Sequence, residues 1–586
     1  MIRFKFLIIF IIIITITLII RIYFISIKSN EYYENLSKNN YIQRVYKYPS
    51  RGIITDRNGV ALAINKLGFS INIRPHLTDI STLKDTIDKI LKHLPEFKNK
   101  DLIKLYQSLN SPYKHSYIKL IPFIEYSKFF DKYVLFNLLD NIKIDLEVKR
   151  FYPYGKVASH IIGYVGKISK NEIKNNKLSS TRETIGKNGL EKFYNSILQG
   201  KKGYQDIKVN ALNKKIDIID NQEPSLNNNL KTTIDIRLQK YISDIFDKKS
   251  GSVIVMNVNT GAILSASSFP QYDNNIFVDG ISVIKWKNMR NDFNHPFTNK
   301  LVNGLYPPGS IIKMGTALSF LENGIKSNYT VFDTGELKIG KRNFRGWKLE
   351  GHGKTGFIKA IRESVDDFFY KGSLKVGINK MSQTLHKLGF GKKTGVDQVN
   401  EFRGTNPNKL WKRVKYNMPW YIGETAISSI GQGFILVTPM QIARYTSFLA
   451  TSKLPIPHLS QDNYKKPIKI KINKKYLNLI RRGMYQVSNY PSGTLYKYIQ
   501  DNNNTIASKT GTAQVISIPQ EEKKRMKESE LEYYHRSHAW ITSYAPYKNP
   551  KYSVTILVEH GGHGGKAAGR IMDKIYTKLK ELKYIK

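Results

Sequence analysis

Hydrophobic positions at the start of the chain form an almost unbroken apolar run. Phe6–Ile20 is apolar apart from two threonines, and a second run, Ile22–Ile27, follows Arg21. The first run alone is shorter than the ~20 residues that cross a bilayer, but Arg21 can extend its charged end to the interface and let the whole segment cross. No small-x-small cleavage site follows, so the pattern favours a retained membrane anchor over a cleaved signal peptide.

Between the anchor and residue 230 the pattern is mixed and predicts short elements. Residues 51–65 have the pattern of two short strands around an Asn58-Gly59 turn. Residues 85–145 carry Leu and Ile at helical spacing among lysines, which predicts short surface helices. Residues 206–230 are polar and rich in asparagine, so a linker is expected there.

Strand-like alternation returns after residue 231 and brackets a long helical stretch. Residues 251–270 predict a β-hairpin, and helical spacing dominates 310–450. The tail predicts three strands and a last helix, at 504–515, 538–546, 551–562 and 572–582. Strands at both ends with helices between them predict an α+β domain whose terminal strands pair in one antiparallel sheet. The charged segment 516–537, between two of these strands, is expected to be an exposed helical excursion.

Composition narrows the class of protein. Lysine and arginine total 93 against 46 acidic residues, a formal charge of +47. These charges are spread along the 586 residues rather than gathered into one arm, which favours solvated lysine-rich faces over a nucleic-acid-binding surface, and no nucleic-acid partner is expected. Cysteine is absent, which excludes disulfides, thiol catalysis and cysteine-ligated metals.

One helix start carries a serine and a lysine that a core helix does not need. Two prolines and a glycine lead into Ser310, and Lys313 follows one turn later. Free N–H groups at a helix N-terminus favour negative charge, and a buried lysine on the same face can take the serine proton. Alone, the spacing is also typical of an N-cap with a solvent-reaching lysine, because it recurs at Ser81, Ser111, Ser116 and Ser282.

A Lys-Thr-Gly motif follows far downstream. The triplet occurs three times, but only Lys509-Thr510-Gly511-Thr512 lies in a strand-like run. Alternation places Thr510 and Thr512 on one side of that strand, and Gly511 lets a peptide approach the backbone. An ammonium and hydroxyls beside a strand edge can hold a substrate carboxylate, although an ordinary edge strand with a protective lysine has the same pattern.

Ser364-x-Asp366 stands between these two motifs, where one apolar helix ends and another begins. Alone it is typical of a helix cap. Ser-x-x-Lys, Ser-x-Asp/Asn and Lys-Thr-Gly in this order are hard to obtain together by accident, and they are the motif set of penicillin-binding proteins and serine β-lactamases.

The chain resembles the class B penicillin-binding proteins, the monofunctional peptidoglycan transpeptidases, over nearly its whole length. Besides the anchor and the three motifs, the resemblance is carried by the stretches "RGIITDRNG", "TTIDIRLQ", "SIGQGFILVTPMQ" and "GGHGG". Asp366, where division-type enzymes usually carry Asn, and the stretches "RFYPYG", "GHG", "ESVDDFFY" and "PWYIGETA" resemble the elongation, or rod-shape, branch.

This resemblance implies an α+β fold in three parts. Residues 1–28 are expected to form a cytoplasmic tip and transmembrane anchor. Residues 29–230 are expected to form a stalk and an extended mixed α/β pedestal of the dimerisation type, with a linker. Residues 231–586 are expected to form a penicillin-binding transpeptidase domain, an antiparallel sheet flanked by helices as in serine β-lactamases.

The resemblance also implies the chemistry. Ser310 would attack the penultimate D-Ala carbonyl of a stem pentapeptide, release D-Ala, and pass the acyl group to an amine of a neighbouring stem peptide. Lys313 would act as the base, and Ser364 would relay a proton toward the leaving amine. Asp366 departs from the commoner Asn, and a carboxylate near Lys313 favours the ammonium form, which opposes a free-base role.

The strand motif supplies the rest of the implied site. Lys509 and Thr510 would support the electrostatics of the reaction, with Gly511 between the two threonines. Thr512 would bind the terminal carboxylate, and its backbone N–H would form the oxyanion hole with that of Ser310.

No cofactor and no metal are expected. Some elongation enzymes of this kind hold a metal through two Asp, a His and a Cys, but only Asp333 and His352 stand at the matching positions here. Two ligands do not make a structural zinc site.

Partners and location follow from the same resemblance. It implies β-lactams as covalent inhibitors, a SEDS-family (RodA-like) glycosyltransferase as a partner, D,D-carboxypeptidase side activity, and a single-pass location in the bacterial inner membrane with the catalytic domain outside. Three alternatives stay open: a scaffold or activator of a wall-synthesis glycosyltransferase, a division-type transpeptidase, and a relative that hydrolyses or senses β-lactams.

Overall fold

The computed structural model describes most of the chain, namely residues 2–28, 32, 41–77, 79–112, 116–175, 184–210, 215–225, 227–246, 248–499, 505–516 and 527–585. The contacts within it divide the chain into two compact units. The first comprises residues 1–52, 65–150 and 196–228, and the second comprises 53–64, 151–195 and 229–586. The second unit contains every residue of the candidate chemistry.

The first unit begins with an apolar helix. The α-helix Ile2–Tyr23 continues as a π-helical turn over Phe24–Lys28. The 26 residues Arg3–Lys28 are apolar enough and long enough to cross a membrane. A helix of this length, which rises about 1.5 Å per residue, is longer than the ~30 Å thickness of a hydrocarbon core. Thr15 and Thr17 donate their hydroxyls to carbonyls one turn earlier, so their polar groups are paired within the helix. The segment fits the single-pass anchor that the sequence predicted.

A three-stranded antiparallel sheet follows in the same unit. Gly203–Val209 lies in its middle, between Ile42–Lys47 and Lys215–Gln222. The expectation of a linker over 206–230 is therefore wrong for residues 206–209 and 215–222. The strand Lys215–Gln222 is exposed at every position, so no buried face produced an alternating apolar pattern in the sequence.

The apolar core of the first unit lies under two helices, Ile80–His93 and Asn99–Leu109. The prediction of surface helices over 85–145 holds for these helices and for short turns at Tyr126–Phe129, Phe130–Lys132 and Tyr133–Asn137. The prediction missed the strand Ile118–Glu125, which pairs with the last part of the strand Ala61–Ile73. The strand Ile142–Phe151 also pairs with Ala61–Ile73. Several apolar residues of Ile118–Glu125 are buried, and these contacts override the local helical spacing.

The second unit is built on a five-stranded antiparallel sheet. In chain order its strands are β1 (Gly251–Asn257), β2 (Ile263–Phe269), β3 (Ala507–Ala513), β4 (His538–Ala545) and β5 (Tyr552–Val558). Their spatial order is β2-β1-β5-β4-β3. The predicted pairing of the terminal strands in one antiparallel sheet is confirmed, and β3, which carries the Lys-Thr-Gly motif, is an edge strand paired only with β4 among the described strands.

Helices pack around this sheet, and one buried apolar cluster joins them to it. The C-terminal helix starts eight residues before its predicted position. The longer α-helices are Ile236–Phe246, Val283–Asn291, Lys313–Glu322, Asp366–Val376, Ile378–Lys387, Lys409–Tyr416, Ile422–Ser429, Pro439–Thr451, Lys474–Asn489 and Gly564–Glu581.

Shorter elements complete the unit. The predicted turn at Asn58-Gly59 joins Ile54–Thr55 to Ala61–Ile73, with Ile54 paired to Ala63. Shorter helices and 3-10 turns are Ser159–Ile162, Lys170–Asn175, Gly189–Phe193, Asn275–Val278, Gly309–Ile312, Phe357–Arg362, Gln461–Asn463, Tyr496–Tyr498 and Tyr533–His535. The short helix Asn195–Gln199 belongs to the first unit except for its first residue. Shorter strands are Val165–Lys167, Thr184–Gly186, Leu230–Lys231, Thr330–Asp333, Glu336–Ile339, Arg342–Arg345, Gly353–Gly356, Lys453–Leu454 and Ile468–Lys469.

The predicted excursion at 516–537 falls partly outside the described residues, at 517–526. Its last part ends in a 3-10 turn, Tyr533–His535, rather than a longer helix. Tyr533 packs its ring against His560, with centroids 5.2 Å apart.

Two histidines, the buried His160 and the partly buried His538, make the stability of the second unit dependent on pH. Burial lowers the pKa of His160 to about 4, and burial likewise lowers the pKa of His538 to about 4. Below the unfolded-state pKa of about 6.5 the unfolded chain binds protons that the folded chain does not, so stability falls as pH falls from there toward 4. We expect each ring to cost about 2 kcal/mol at pH 5, measured by thermal unfolding at pH 7.5 and pH 5.

The His538→Asn variant provides the control for this prediction. An asparagine oxygen can accept the His560 N–H that His538 Nδ1 accepts at 3.1 Å, without a charge change in this range. Its stability should depend less steeply on pH than that of the natural chain. Parallel curves for the two proteins would contradict the assignment.

Candidate active site

Ser310 lies in a 3-10 turn, Gly309–Ile312, that leads directly into the α-helix Lys313–Glu322. The sequence placed the helix start at or just after the serine, and the α-helix proper begins at Lys313. The N–H of Lys313 donates to Ser310 O, so the two residues are one tight turn apart. Ser310 is half-buried, and its Oγ has no hydrogen-bond partner among the described residues, which leaves the hydroxyl free to meet a substrate.

Close backbone contacts fix this turn in place. Gly309 has φ 55°, and its N–H donates to Gly431 O at 2.9 Å. A Cβ on Gly431 would lie 2.3 Å from Gly309 O, and a Cβ on Gly309 would lie 2.7 Å from Thr512 O. Glycine is therefore required at position 431, which contacts the turn, and at position 309, where the turn contacts β3.

Strand β3 lies against the same turn. A Cβ on Gly511 would lie 3.0 Å from a methyl group of Ile311 and 3.1 Å from Pro308 O. The sequence pattern predicted that Gly511 lets a peptide approach the backbone closely. In the structure, the absence of a side chain at Gly511 makes room for the turn Gly309–Ile312, which carries Ser310.

Ser364 connects the three motifs. It lies between the helices Phe357–Arg362 and Asp366–Val376, as the sequence predicted, and adopts a left-handed φ of 58°. That conformation is uncommon for a residue other than glycine, and such strain is concentrated at functional sites. Its Oγ lies 3.2 Å from Lys313 Nζ and 2.9 Å from Lys509 Nζ.

Both lysines are completely buried. Burial lowers the pKa of Lys313, although Asp366 and Asp333 raise it. Burial lowers the pKa of Lys509 well below its usual value, and the charge of Lys313 lowers it further. An amine with a lowered pKa can hold or release a proton near neutral pH, which is the property that activation of a serine requires.

Asp366 points directly at Lys313, with Oδ1 2.6 Å from Nζ, and its side chain is only 13% exposed. The sequence left open whether this carboxylate faces the lysine. The structure brings them into contact, so the departure from asparagine has a direct electrostatic consequence.

Two further residues support β3, and the sequence analysis did not assign a role to either of them. Thr494 shares a hydrogen bond of 2.8 Å with the hydroxyl of Thr510. Gln432 donates from Nε2 to Thr512 O at 3.4 Å. Gln432 lies in the stretch "SIGQGFILVTPMQ", which carries part of the family resemblance. Thr494 lies in none of the stretches that carry it.

The other two Lys-Thr-Gly triplets lie elsewhere. Gly353–Gly356 is a short strand paired with Thr330–Asp333, and Thr394 gives its backbone N–H and its hydroxyl to Glu401. Among the three triplets, only the one in β3 reaches Ser364.

Within the described residues no three His, Asp or Glu side chains are grouped to hold a metal ion. Asp333 and His352 do lie together, with His352 Nδ1 2.6 Å from Asp333 Oδ2. Asp333 also accepts the N–H groups of Gly335 and His352, so this carboxylate is engaged in closing its own loop.

The Ser-x-x-Lys, Ser-x-Asp and Lys-Thr-Gly motifs of this chain thus lie together beside an edge strand, and these are the motifs of the penicillin-binding serine acyltransferases. Residues 251–577, more than half of the chain, match the penicillin binding protein transpeptidase domain, and residues 46–232 match the penicillin-binding protein dimerisation domain. The chain belongs to the penicillin-binding protein transpeptidase family.

Relatives place it more narrowly within that family. Peptidoglycan D,D-transpeptidase MrdA of Escherichia coli K12 is 33% identical, with 96% of this chain and 92% of that protein covered. Penicillin-binding protein 3 of Bacillus subtilis is 26% identical over 82% of this chain and 71% of that protein. The Helicobacter pylori penicillin-binding protein PBP2, solved in complex with MreC, is 42% identical with a TM-score of 0.83 and covers 93% of this chain and 100% of that chain.

Proposed function

We propose that this chain is a membrane-anchored peptidoglycan D,D-transpeptidase that cross-links stem peptides during cell elongation. The observation that carries the proposal is the Ser364 hydroxyl, held between two buried lysines next to the turn that presents Ser310. The relatives of MrdA type, which match along almost the whole chain, support the elongation branch.

In this proposal Ser310 attacks the penultimate D-Ala carbonyl of a stem pentapeptide and carries the acyl group. Lys313, Lys509 and Ser364 take up the proton of Ser310 and return it to the leaving group. Asp366 influences the charge of the two lysines. A β-lactam would acylate the same hydroxyl, because its strained amide occupies the place of the peptide bond.

Strand β3 would hold the substrate. Thr510 and Thr512 would bind the terminal carboxylate, while Gly511 lets the strand pack closely against the turn that carries Ser310. The N–H groups of Thr512 and Ser310 would form the oxyanion hole, and one such donor is worth roughly 2.7–4 kcal/mol of transition-state stabilisation.

For the remaining parts of the chain we propose the following roles. Residues 1–28 would anchor it in the bacterial inner membrane, 29–230 would form the stalk and pedestal, and 231–586 would catalyse cross-linking on the outer side. The PBP2 relative solved with MreC supports a place in a wall-synthesis assembly, and we infer a SEDS-family (RodA-like) glycosyltransferase as the enzyme that supplies the glycan strand.

Persistent acylation by a penicillin tests this function. The full chain, purified in detergent, is labelled with a fluorescent penicillin and then chased with an excess of unlabelled drug. We expect the label to stay through the chase, because a transpeptidase site waits for an amine acceptor and excludes hydrolysis. A D-Ala-D-Ala pentapeptide present during labelling should slow the reaction by competing for Ser310.

Each alternative predicts a different result. Rapid loss of the label would indicate a β-lactam-hydrolysing relative. No labelling of a folded chain would favour a scaffold or activator of the glycosyltransferase over an enzyme.

A further inference from the structure

Ser364 presents one hydroxyl to two amines. A hydroxyl has a single proton to donate, so it can donate to at most one of Lys313 and Lys509, and only a neutral amine can accept that proton. If Ser364 donates to one of the two lysines, the direction of that hydrogen bond identifies the neutral one.

Lys313 has the contacts of an ammonium. Its Nζ lies 2.8 Å from Ser364 O, 2.6 Å from Asp366 Oδ1 and 3.2 Å from Ser364 Oγ. The carbonyl and the carboxylate can only accept, and three acceptors match the three N–H groups of –NH3+. The Phe369 ring, whose centroid lies 5.2 Å from Nζ, also favours a cation.

Lys509 has the contacts of a neutral amine. Its Nζ lies 2.9 Å from Thr510 O and 2.9 Å from Ser364 Oγ, and no carboxylate contacts it among the described residues. As a neutral amine, Lys509 would give one N–H to the carbonyl and would accept the proton of Ser364 with its lone pair.

The surrounding charges agree with this direction. Burial has the largest effect on both lysines and lowers the pKa of each, and Asp366 raises the pKa of each. The difference is that Asp333 also raises the pKa of Lys313, whereas Lys313 is a like charge that lowers the pKa of Lys509. The carboxylate of Asp367, the residue after Asp366, is paired with Lys371 at 2.7 Å. The carboxylate of Asp333 is engaged by His352.

We propose that Asp366 keeps the proton on Lys313, so that Lys509 is the neutral amine of the resting site and receives, through Ser364, the proton that Ser310 gives up on acylation. This inference rests on the proposed transpeptidase function and assigns its base. It also gives the aspartate, in place of asparagine, a specific task.

The step balances without a further reactant. As Ser310 Oγ bonds to the carbonyl carbon, its proton passes to Ser364 Oγ, and the proton of Ser364 passes to Lys509 Nζ. When the tetrahedral adduct collapses, the bond to the leaving nitrogen breaks and the same path returns the proton to that nitrogen. Lys509 is neutral again, and Lys313 remains an ammonium throughout.

A double substitution tests the assignment. Arginine keeps a positive charge at position 509 but does not release a proton, so Lys509→Arg should lower the second-order rate of acylation by fluorescent penicillin about 100-fold or more. Adding Asp366→Asn frees Lys313 to lose its proton and act as the base. The K509R/D366N chain should therefore be at least about 10-fold faster than K509R.

The neighbouring carboxylate provides the matched control. Asp367 contacts Lys371 rather than Lys313, so K509R/D367N should recover nothing. A K509R rate within about 10-fold of the natural chain, or a double variant no faster than K509R, would overturn the proposal. Failure of the natural chain to be acylated would instead count against the proposed function.

The rate profile with pH provides a second test that does not depend on folding of the arginine variant. A carboxylate favours the charged form of a nearby amine, so Asp366→Asn lowers the pKa of the coupled lysines. The acid limb of the acylation rate should move to lower pH by about one unit or more relative to the natural chain. Superimposed profiles would show that Asp366 does not place the proton.

Discussion

The Ser310→Ala chain is expected to form no covalent adduct with penicillin. Removing Oγ removes the atom that bonds to the substrate, and loss of a serine nucleophile lowers turnover by roughly 10^6-fold in a comparable acyl-transfer site. Stability should change by less than about 0.5 kcal/mol, because the half-buried hydroxyl has no hydrogen-bond partner among the described residues. Gel fluorescence after labelling, with a thermal melt of the same sample, measures both quantities.

Ser282 provides the matched control for this prediction. It has the same Ser-x-x-Lys spacing, but its Oγ accepts the N–H of Lys285 at 3.3 Å and caps the exposed helix Val283–Asn291. Ser282→Ala should label as the natural chain does. Labelling that persists in Ser310→Ala would show that another serine is the nucleophile.

Replacing Lys313 with methionine is expected to lower the rate of penicillin acylation by about 10^3-fold or more. The apolar side chain has a similar length, but it donates nothing to Ser364 and leaves no positive charge beside the reacting hydroxyl. The two hydrogen bonds that hold Ser364, to its carbonyl and to its Oγ, are both lost. The rate is measured with fluorescent penicillin under single-turnover conditions.

Lys300 is the matched buried lysine outside the site, and it separates an effect on catalysis from an effect on folding. It pairs with Glu559 at 2.8 Å, and that carboxylate is 12% exposed, as Asp366 beside Lys313 is 13% exposed. Replacing either lysine with methionine leaves a buried carboxylate without its partner, so each variant should lose about 3–5 kcal/mol of unfolding free energy. The folded Lys300→Met chain should still be acylated at the natural rate. An equal loss of acylation in the two variants would contradict a catalytic role for the charge at Lys313.

Local pattern predicted the architecture of the second unit well. Apolar strand-like runs marked β1, β2, β4 and β5 near their observed bounds, because strands that are buried on both faces are apolar at most positions. In the first unit the same reasoning failed for Ile118–Glu125 and Lys215–Gln222. Ile118–Glu125 pairs with residues about 50 positions earlier in the chain, and such pairing leaves little trace in the spacing of side chains. Lys215–Gln222 pairs with the neighbouring strand Gly203–Val209, but it is exposed at every position and so carries no alternating apolar pattern.

The sequence by itself determined the order of the three motifs, the turn before Ser310 and the helix break at Ser364, because each depends on residues within one or two turns of chain. Only the tertiary structure decided which of three Lys-Thr-Gly triplets meets that serine, and that Asp366 faces Lys313. Those facts depend on distances between residues 53 and 145 positions apart in the chain, which the packing of the whole unit fixes. The charge on a buried amine follows from such distances, since its pKa is set by the atoms around it rather than by its neighbours in sequence.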